Sequence, residues 1–421
     1  MSVGKTRRVA TCLILVLCVR ILFLSNFCMP DLSANTDVLD GASGLDINDL
    51  GDIVVFCSSL TGKNDHWSSW KIMPPTDGGK ARHPEARLEI RDINGTPPPS
   101  SGDWVINDTT IVEDMTLIIN GSIIVEENGT LILQNSNLYM NLSTDGEYCI
   151  DVYGNFTVLG SKITAYIAEN NYYIRIFSGA KLRIEDSEIR YAGYEWGTNA
   201  DHTGLWINTN NATVRNTTIR DGYNGVSLYS ANSSLITQNT ITNVSCYAIY
   251  LEKSYNNVMS KNNITYAIGL YMTSSNNNSY TNNSICYNDT KYRFGIRVIS
   301  SNYNNFTYNN ISGLLLRGIR LESSNYTYIA NNRIANNSER NIDVKSSTHC
   351  KIMNNTLKNS KYYEGIYLDH ADFAEVMYNT ISGNHDDGIS LYYSPNCTVK
   401  YNDFIENQVG VYLCDSDNTV I

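Results

Sequence analysis

The sequence of 421 residues predicts an all-β fold, a parallel β-solenoid built from stacked coils. The first observation is a repeat, seen in the consecutive segments GIRVISSNYNNFTYNNI, GIRLESSNYTYIANNRI and NIDVKSSTHCKIMNNTL. The repeat length of about 23 residues is the second observation, because it is too short for a pair of helices. The third is that apolar Ile319 and Leu321 flank charged Arg320, which predicts a short strand with one buried face.

Two columns of residues run through the repeats and keep the same steps. The glycine column holds Gly204, Gly225, Ala248, Gly269, Gly295, Gly318, Asn341, Gly365, Gly388 and Gly410. The asparagine column holds Asn239, Asn262, Asn283, Asn309, Asn332, Asn355, Asn379 and Asn402, and is preceded by Ser136, Ser161, Ser187 and Thr217. Asparagine tolerates left-handed backbone and can bond its counterpart in the next coil, so we expect it at tight turns. Counting along this column gives twelve coils and part of a thirteenth.

The N-terminal 102 residues are predicted to lie outside the solenoid. Residues 1–28 combine Lys5, Arg7 and Arg8 with an apolar run, which indicates export by a signal peptide or a retained membrane anchor. Residues 29–102 contain two predicted strands of a hairpin, in 51–59 and 65–73, and end in a linker rich in Pro and Ser.

The remainder of the chain is predicted to form the coils. Residues 103–203 provide a small β-rich cap, around Ile118 and Ile123, and irregular coils, whereas residues 204–421 form the regular ones. The sequence stops inside a repeat, so we expect either a fragment of a longer protein, the interpretation we favour, or an uncapped end that contacts another chain end to end.

The net charge and the cysteine spacing of the chain argue against some classes of partner. The net charge of −11 argues against nucleic acid, because phosphate binding requires a basic face. Ten cysteines without a C-x-x-C motif give no metal-knuckle signature. Cys350 and Cys397 share a column, but two coils of about 4.8 Å separate them, which is too far for a disulfide.

The repeat pattern N-x-I…G-I-x-L-x-x-S-x-x-N resembles the right-handed parallel β-helix repeats of the NosD-like and pectin-lyase-like group, over residues 204–421 closely and 130–203 loosely. That group includes pectate lyases, polygalacturonases, mannuronan epimerases, copper-maturation proteins and non-catalytic cell-surface binders. The resemblance implies a right-handed single-stranded β-helix of about 12–13 coils, but no single activity. It implies no required cofactor, although calcium often accompanies catalysis in this fold.

The residue between the two inward positions of each G-I-x-L strand faces outward. Stacking places these residues in one column, the outward ladder: Trp206, Ser227, Tyr250, Tyr271, Arg297, Arg320, Asp343, Tyr367, Ser390 and Tyr412. A second row beside it includes Glu252, Glu322, Lys345 and Asp369. Insertions at 194–203 and 286–294 enter just before this strand and are expected to make a cleft over it.

Aromatic rings, arginines and carboxylates on one face suit sugar rings and uronate groups. We therefore predict that Tyr250, Tyr271, Arg297, Arg320, Asp343, Tyr367 and Asp369 bind a polysaccharide or glycoconjugate. The alternative is a scaffold, in which tyrosines simply suit exposed strands and Arg320 pairs with Asp343 across strands.

Two further groups of residues are candidates for chemistry. Asp386 and Asp387, with His385 nearby, resemble the paired aspartates of a polygalacturonase, although the other motifs of that enzyme are absent. Soft ligands suit Cu(I), which makes His349, Met353, His370 and Met377 the candidates for a metal site.

The sequence thus favours an exported cell-surface protein, secreted or held at the membrane by residues 1–28, that binds extracellular polysaccharide. About twenty Asn-x-Ser/Thr sequons are available for glycosylation after export. The alternatives are a polysaccharide lyase, epimerase or hydrolase acting on acidic glycans, a structural envelope protein, and a NosD-like copper-handling protein.

Overall fold

A computed structural model describes residues 93–168, 170–194, 200–287 and 294–421, together with the backbone of two earlier strands. Contacts divide the chain into one unit at 1–92 and another at 93–421. In the first unit, strand Ser68–Lys71 pairs antiparallel with Glu89–Asp92. Strand Ser68–Lys71 lies within the predicted hairpin strand at 65–73. Its partner, Glu89–Asp92, was not predicted as a strand from the sequence. The other predicted strand, in 51–59, and the predicted signal or anchor at 1–28 lie outside the described residues.

The second unit is a parallel β-solenoid with three sheets. Sheet I has 14 strands: Trp104–Ile106, Ile123–Val125, Cys149–Val152, Tyr173–Ile176, Leu205–Ile207, Val226–Tyr229, Tyr247–Glu252, Ile268–Thr273, Phe294–Ile299, Arg317–Glu322, Ile342–Lys345, Ile366–Asp369, Ile389–Tyr392 and Val411–Cys414. Sheet II has 13 strands: Thr109–Glu113, Thr130–Gln134, Asn155–Leu159, Lys181–Glu185, Thr213–Arg215, Leu235–Thr237, Val258–Ser260, Ser279–Thr281, Asn305–Thr307, Tyr328–Ala330, Lys351–Met353, Glu375–Met377 and Thr398–Lys400. Sheet III has 13 strands: Thr116–Ile119, Asn137–Met140, Lys162–Ala165, Glu188–Arg190, Thr218–Arg220, Thr240–Thr242, Asn263–Thr265, Ser284–Cys286, Asn310–Ser312, Arg333–Ala335, Thr356–Lys358, Thr380–Ser382 and Asp403–Ile405.

Each coil visits sheets I, II and III in turn, and every neighbouring pair of strands in these sheets is parallel. One side of each strand points inward, so that Ile319, Leu321, Ile329 and Ile334 of a single coil are completely buried. Burying such a side chain contributes roughly 1.5–3 kcal/mol, and the gain is repeated coil after coil. The predicted all-β solenoid of about 13 turns is confirmed, and the described residues contain only one short 3-10 helix, Ala200–His202.

The start of the solenoid differs from the predicted cap. Ile118 and Ile123 lie in coil strands of sheets III and I, so coils already occupy this region. The end of the predicted linker is bound to the first coil, because the indole Nε1–H of Trp104 donates to the Thr96 carbonyl at 3.0 Å and Thr96 N–H donates to Thr110 Oγ1 at 2.9 Å.

Within the described residues, no helix has the length and apolarity needed to cross a membrane.

The asparagine column stabilises the turn between sheets II and III. The Asn332 side-chain amide donates to the Phe306 carbonyl at 2.8 Å and to Asn355 Oδ1 at 3.0 Å, while its own Oδ1 accepts two bonds from Asn309. The left-handed residue is not Asn332 but Asn331, with φ of 58°. The column therefore marks the turn as predicted, but it acts through a buried amide ladder and not through its own backbone conformation.

The same column extends towards the N-terminus with shorter side chains. Ser136 N–H donates to Ser161 Oγ at 2.9 Å, and Thr217 N–H donates to Asn239 Oδ1 at 3.0 Å.

The six cysteines in the described part are free thiols. Burial raises the pKa of Cys350 to about 12 and that of Cys397 to about 11, which makes both thiols poor nucleophiles.

Candidate functional site

The outward face of sheet I carries the predicted ladder in the predicted order. Strand register joins Trp206, Ser227, Tyr250, Tyr271, Arg297, Arg320, Asp343, Tyr367, Ser390 and Tyr412 as successive partners. The structure extends the ladder by two charged rungs, because Trp206 pairs with Arg175 and Arg175 with Asp151, and the register continues to apolar Ile124 and Val105. In the second row, Glu322 pairs with Lys345, and Lys345 with Asp369.

The ladder residues differ in exposure because another column covers some of them. We name it the leading column: the residues immediately before the glycine column, including Tyr247, Phe294, Arg317, Arg340, Glu364 and Asp387. Trp206, Tyr250 and Asp343 are 8%, 6% and 4% exposed, whereas Tyr271 and Arg320 are half-buried. Sequence reasoning missed the leading column, although its constant position before the glycine was a usable signal.

Charged residues of both columns and their neighbours form the Arg317 cluster. Ion pairs join Arg297, Arg317, Arg320, Glu322, Glu339 and Asp343, and the ion pair of Arg340 with Glu364 interacts electrostatically with Asp343. Arg317 lies 2.8 Å from Asp343 and 3.0 Å from Glu339. Arg320 lies 2.6 Å from Glu322 but 3.8 Å from Asp343, so the pair expected of a scaffold is the looser of its two contacts.

The Arg317 cluster is closely packed but not fully hydrogen-bonded. Nε of Arg317 and Nε of Arg320 are buried and lie near carboxylates without the alignment of a hydrogen bond. Burial raises the pKa of Asp343 against the opposing effect of three arginines, and burial lowers the pKa of Arg317. A buried donor without an aligned acceptor is costly, so the packing of the cluster is not optimal for hydrogen bonding.

Aromatic rings occupy the ladder on both sides of the cluster. Tyr250 and Tyr271 stack with ring centroids 5.5 Å apart, and Tyr247 of the leading column lies 4.9 Å from Tyr271. On the other side, the Arg340 guanidinium lies 3.8 Å above the ring of Tyr367. These contacts fix the orientation of the rings along the face.

A second charged group, the Arg175 cluster, lies near the N-terminal end of the ladder. Arg175 donates two hydrogen bonds to Asp151, at 2.8 and 2.6 Å, and one to Asp201 at 3.0 Å. His202 stacks on Tyr173 with centroids 4.1 Å apart, and burial lowers the pKa of His202. The described part of the first predicted insertion therefore folds over the ladder here. Most of the second insertion, residues 288–293, lies outside the described residues.

The proposed catalytic residues are not brought together as an acid–base pair. Asp387 is buried and accepts a hydrogen bond from Ser390 Oγ at 2.8 Å, and burial raises its pKa. His385 is exposed and lines a shallow depression of about 480 Å³ with Lys361, and no described hydrogen bond or ion pair joins it to either Asp386 or Asp387. The depression is open and polar, unlike a closed catalytic pocket.

The candidate metal ligands are divided among different surroundings. Met353 and Met377 are neighbours in sheet II, as predicted. His349 instead lies between the rings of Tyr326 and Phe373, at 4.8 and 4.9 Å. His370 contacts Asp369 at 2.6 Å and stacks on Tyr393. In the described ranges, no group of three or more His, Cys, Asp or Glu side chains surrounds a common point, so the copper and calcium sites stay predictions.

Two sequence families match the solenoid. The model described as "Periplasmic copper-binding protein (NosD)" matches residues 290–421, and "Right handed beta helix region" matches residues 148–292. No curated protein matches the chain in sequence.

Solved structures show the same architecture at low identity. A mutant of the periplasmic alginate epimerase AlgG matches with a TM-score of 0.54 and 14% identity, over 71% of this chain and 78% of that chain. The surface protein and adhesin PfbA of Streptococcus pneumoniae matches with a TM-score of 0.46 and 14% identity, over 73% of this chain and 91% of that chain. At such identities the likeness concerns the fold alone. Repeat pattern, three parallel sheets and family matches agree that the described chain is a parallel β-helix repeat protein, similar to the NosD model over residues 290–421 and to the right-handed β-helix model over residues 148–292.

Proposed function

We propose that this chain is an extracytoplasmic protein that binds a polysaccharide along the outward face of sheet I. The observation that carries the proposal is the unbroken ladder from Asp151 to Tyr412. It contains twelve rungs, and at about 4.8 Å per coil it extends roughly 50 Å in a straight line. An extended polymer with repeating units is the kind of ligand that fits such a face.

The chemistry of the ladder supports the same ligand. Sugar rings present C–H faces that pack on aromatic rings, and hydroxyls that bond to carboxylates and guanidinium groups. The sheet I face offers both, with half-buried Tyr271 and Tyr367 on opposite sides of the Arg317 cluster. Rings that are already stacked lose little side-chain entropy on binding.

Location outside the cytoplasm rests on two supports. The basic and apolar residues at 1–28 have the pattern of an export signal or anchor. The family matching residues 290–421 is described as periplasmic.

We expect Tyr271→Ala to weaken polysaccharide binding by roughly three- to tenfold, because an aromatic contact of this kind contributes about 0.5–1.5 kcal/mol. Isothermal titration of the full chain, after a glycan array has identified a ligand, measures the change. Tyr401→Ala is the matched control, since Tyr401 is 69% exposed away from sheet I and its loss should leave affinity unchanged.

Two results would contradict the proposal. Equal affinity of the wild type and Tyr271→Ala, with both variants folded, would place the site elsewhere on the molecule. New reducing ends or unsaturated products after incubation with the ligand would show an enzyme instead of a binding protein.

A further inference from the structure

The charges on the sheet I face restrict which polysaccharide it can take. Along the ladder, the second row and their flanking turns, from Asp151 to Asp387, the described basic side chains are Arg175, Lys253, Arg297, Arg317, Arg320, Arg340, Lys345 and Lys361. The described acidic side chains there are Asp151, Asp201, Glu252, Glu322, Glu339, Asp343, Glu364, Asp369, Asp386 and Asp387. Acidic groups therefore outnumber basic ones, in a chain whose net charge is also negative.

Each of these basic side chains except Lys361 already has a carboxylate partner at 2.6–3.5 Å. Several partners are deeply buried: the side chains of Asp343 and Glu364 are 6% and 8% exposed. A ligand carboxylate that took Arg317 or Arg340 would leave a buried carboxylate uncompensated, which is strongly unfavourable. The charges of these arginines are therefore already neutralised by carboxylates of the protein.

By contrast, some of the acidic side chains have no basic side chain as an ion-pair partner. Within the described residues, Asp386 and Asp387 have no cationic partner within 4.0 Å, and Asp387 accepts only the Ser390 hydroxyl. Both lie at the turn that leads into sheet I beside Glu364. A uronate or sulfated sugar placed there would meet like charge at short range.

We infer that the sheet I face binds an uncharged polysaccharide, and not one built from uronate or sulfated sugars. This inference rests on the proposed function and names the ligand class of the same site. Sugar hydroxyls can donate to the exposed oxygens of paired carboxylates such as Glu322 and Asp369, so no ion pair has to break. The stacked tyrosines contribute equally to neutral and acidic sugars and do not discriminate between them.

The test compares ligands that differ only in charge. The full chain is titrated with an oligogalacturonate and its fully methyl-esterified, uncharged form, alongside uncharged manno- and N-acetylchito-oligosaccharides. We expect at least one uncharged oligosaccharide to bind with an affinity constant that stays within about twofold between about 50 and about 500 mM salt. The oligogalacturonate should bind at least about tenfold more weakly than that ligand at the lower salt concentration.

A charge variant provides the second arm. Asp386→Asn combined with Asp387→Asn should reduce the discrimination between uncharged and uronate ligands by about threefold or more. Asp403→Asn removes an exposed carboxylate from sheet III, away from the ladder, and should leave that discrimination unchanged.

Each outcome bears on a different claim. Tighter binding of the uronate, or binding that collapses with added salt, would overturn the uncharged-ligand inference while leaving polysaccharide binding in place. An absence of binding to all of these oligosaccharides would overturn the proposed function as well.

Discussion

Replacing Asn332 with leucine is expected to lower the free energy of unfolding by about 3–6 kcal/mol. The side chain of Asn332 is almost completely buried and takes part in four hydrogen bonds, two donated and two accepted. Leucine leaves the Phe306 carbonyl and the backbone and side-chain N–H groups of Asn309 without these partners. Each buried unsatisfied group costs about 1–3 kcal/mol, and the effect is measured by urea unfolding of the full chain.

The neighbouring turn residue supplies the control. Asn331 has a φ of 58°, which glycine adopts without strain, so Asn331→Gly should change stability by no more than about 1 kcal/mol. If Asn332→Leu unfolded at the same urea concentration as the wild type, the amide ladder would not be a major stabilising element of the coils.

Gly318→Ala is expected to destabilise the solenoid by about 2–4 kcal/mol or to prevent its folding. A Cβ at this position would lie 2.4 Å from Ile334 Cγ2 and 2.6 Å from the Asn341 carbonyl oxygen of the next coil. The backbone oxygen cannot move away without disturbing the parallel pairing of sheet I, so strands must separate locally. Thermal unfolding followed by circular dichroism measures the loss.

The same column contains a matched control. At Gly410, in the last glycine-led strand, the closest atom to an added Cβ is Phe404 Cγ at 3.5 Å, an ordinary contact distance. Gly410→Ala should therefore be tolerated with little change in the melting temperature. Equal stability of both variants would show that the glycine column is retained for a reason other than close approach of successive coils.

Several features of the molecule follow from sequence pattern alone. The alternation around Arg320 and the matching steps of the two columns were sufficient to place ladder residues as neighbours, because strand side chains alternate with a period of two. Register is fixed by the buried face: a slip of one residue would expose Ile319 and Leu321 and bury Arg320. The fold class and the order of the ladder are therefore properties of the repeat pattern.

Other features depended on turns, whose conformation the repeat pattern did not specify. Asn331, and not Asn332, carries the left-handed backbone, because Asn332 is required inside the amide ladder. The side chains of the leading column pack against the ladder. As a result, Asp343 is buried, and Arg320 forms its shorter ion pair with Glu322. His349 stacks between the rings of Tyr326 and Phe373, because its turn lies beside theirs, and so it does not share a site with Met353.

The sequence by itself determined the solenoid, its coil count and the residues that share its outward face, because local periodicity and stacking set all three. Only the tertiary structure decided which of those residues are exposed and which charges are compensated. Ion pairs such as Arg175–Asp151 and Arg317–Asp343 join residues more than twenty positions apart, and their geometry depends on side chains from several coils. Desolvation and pairing are properties of that shared environment, so no single repeat encodes them.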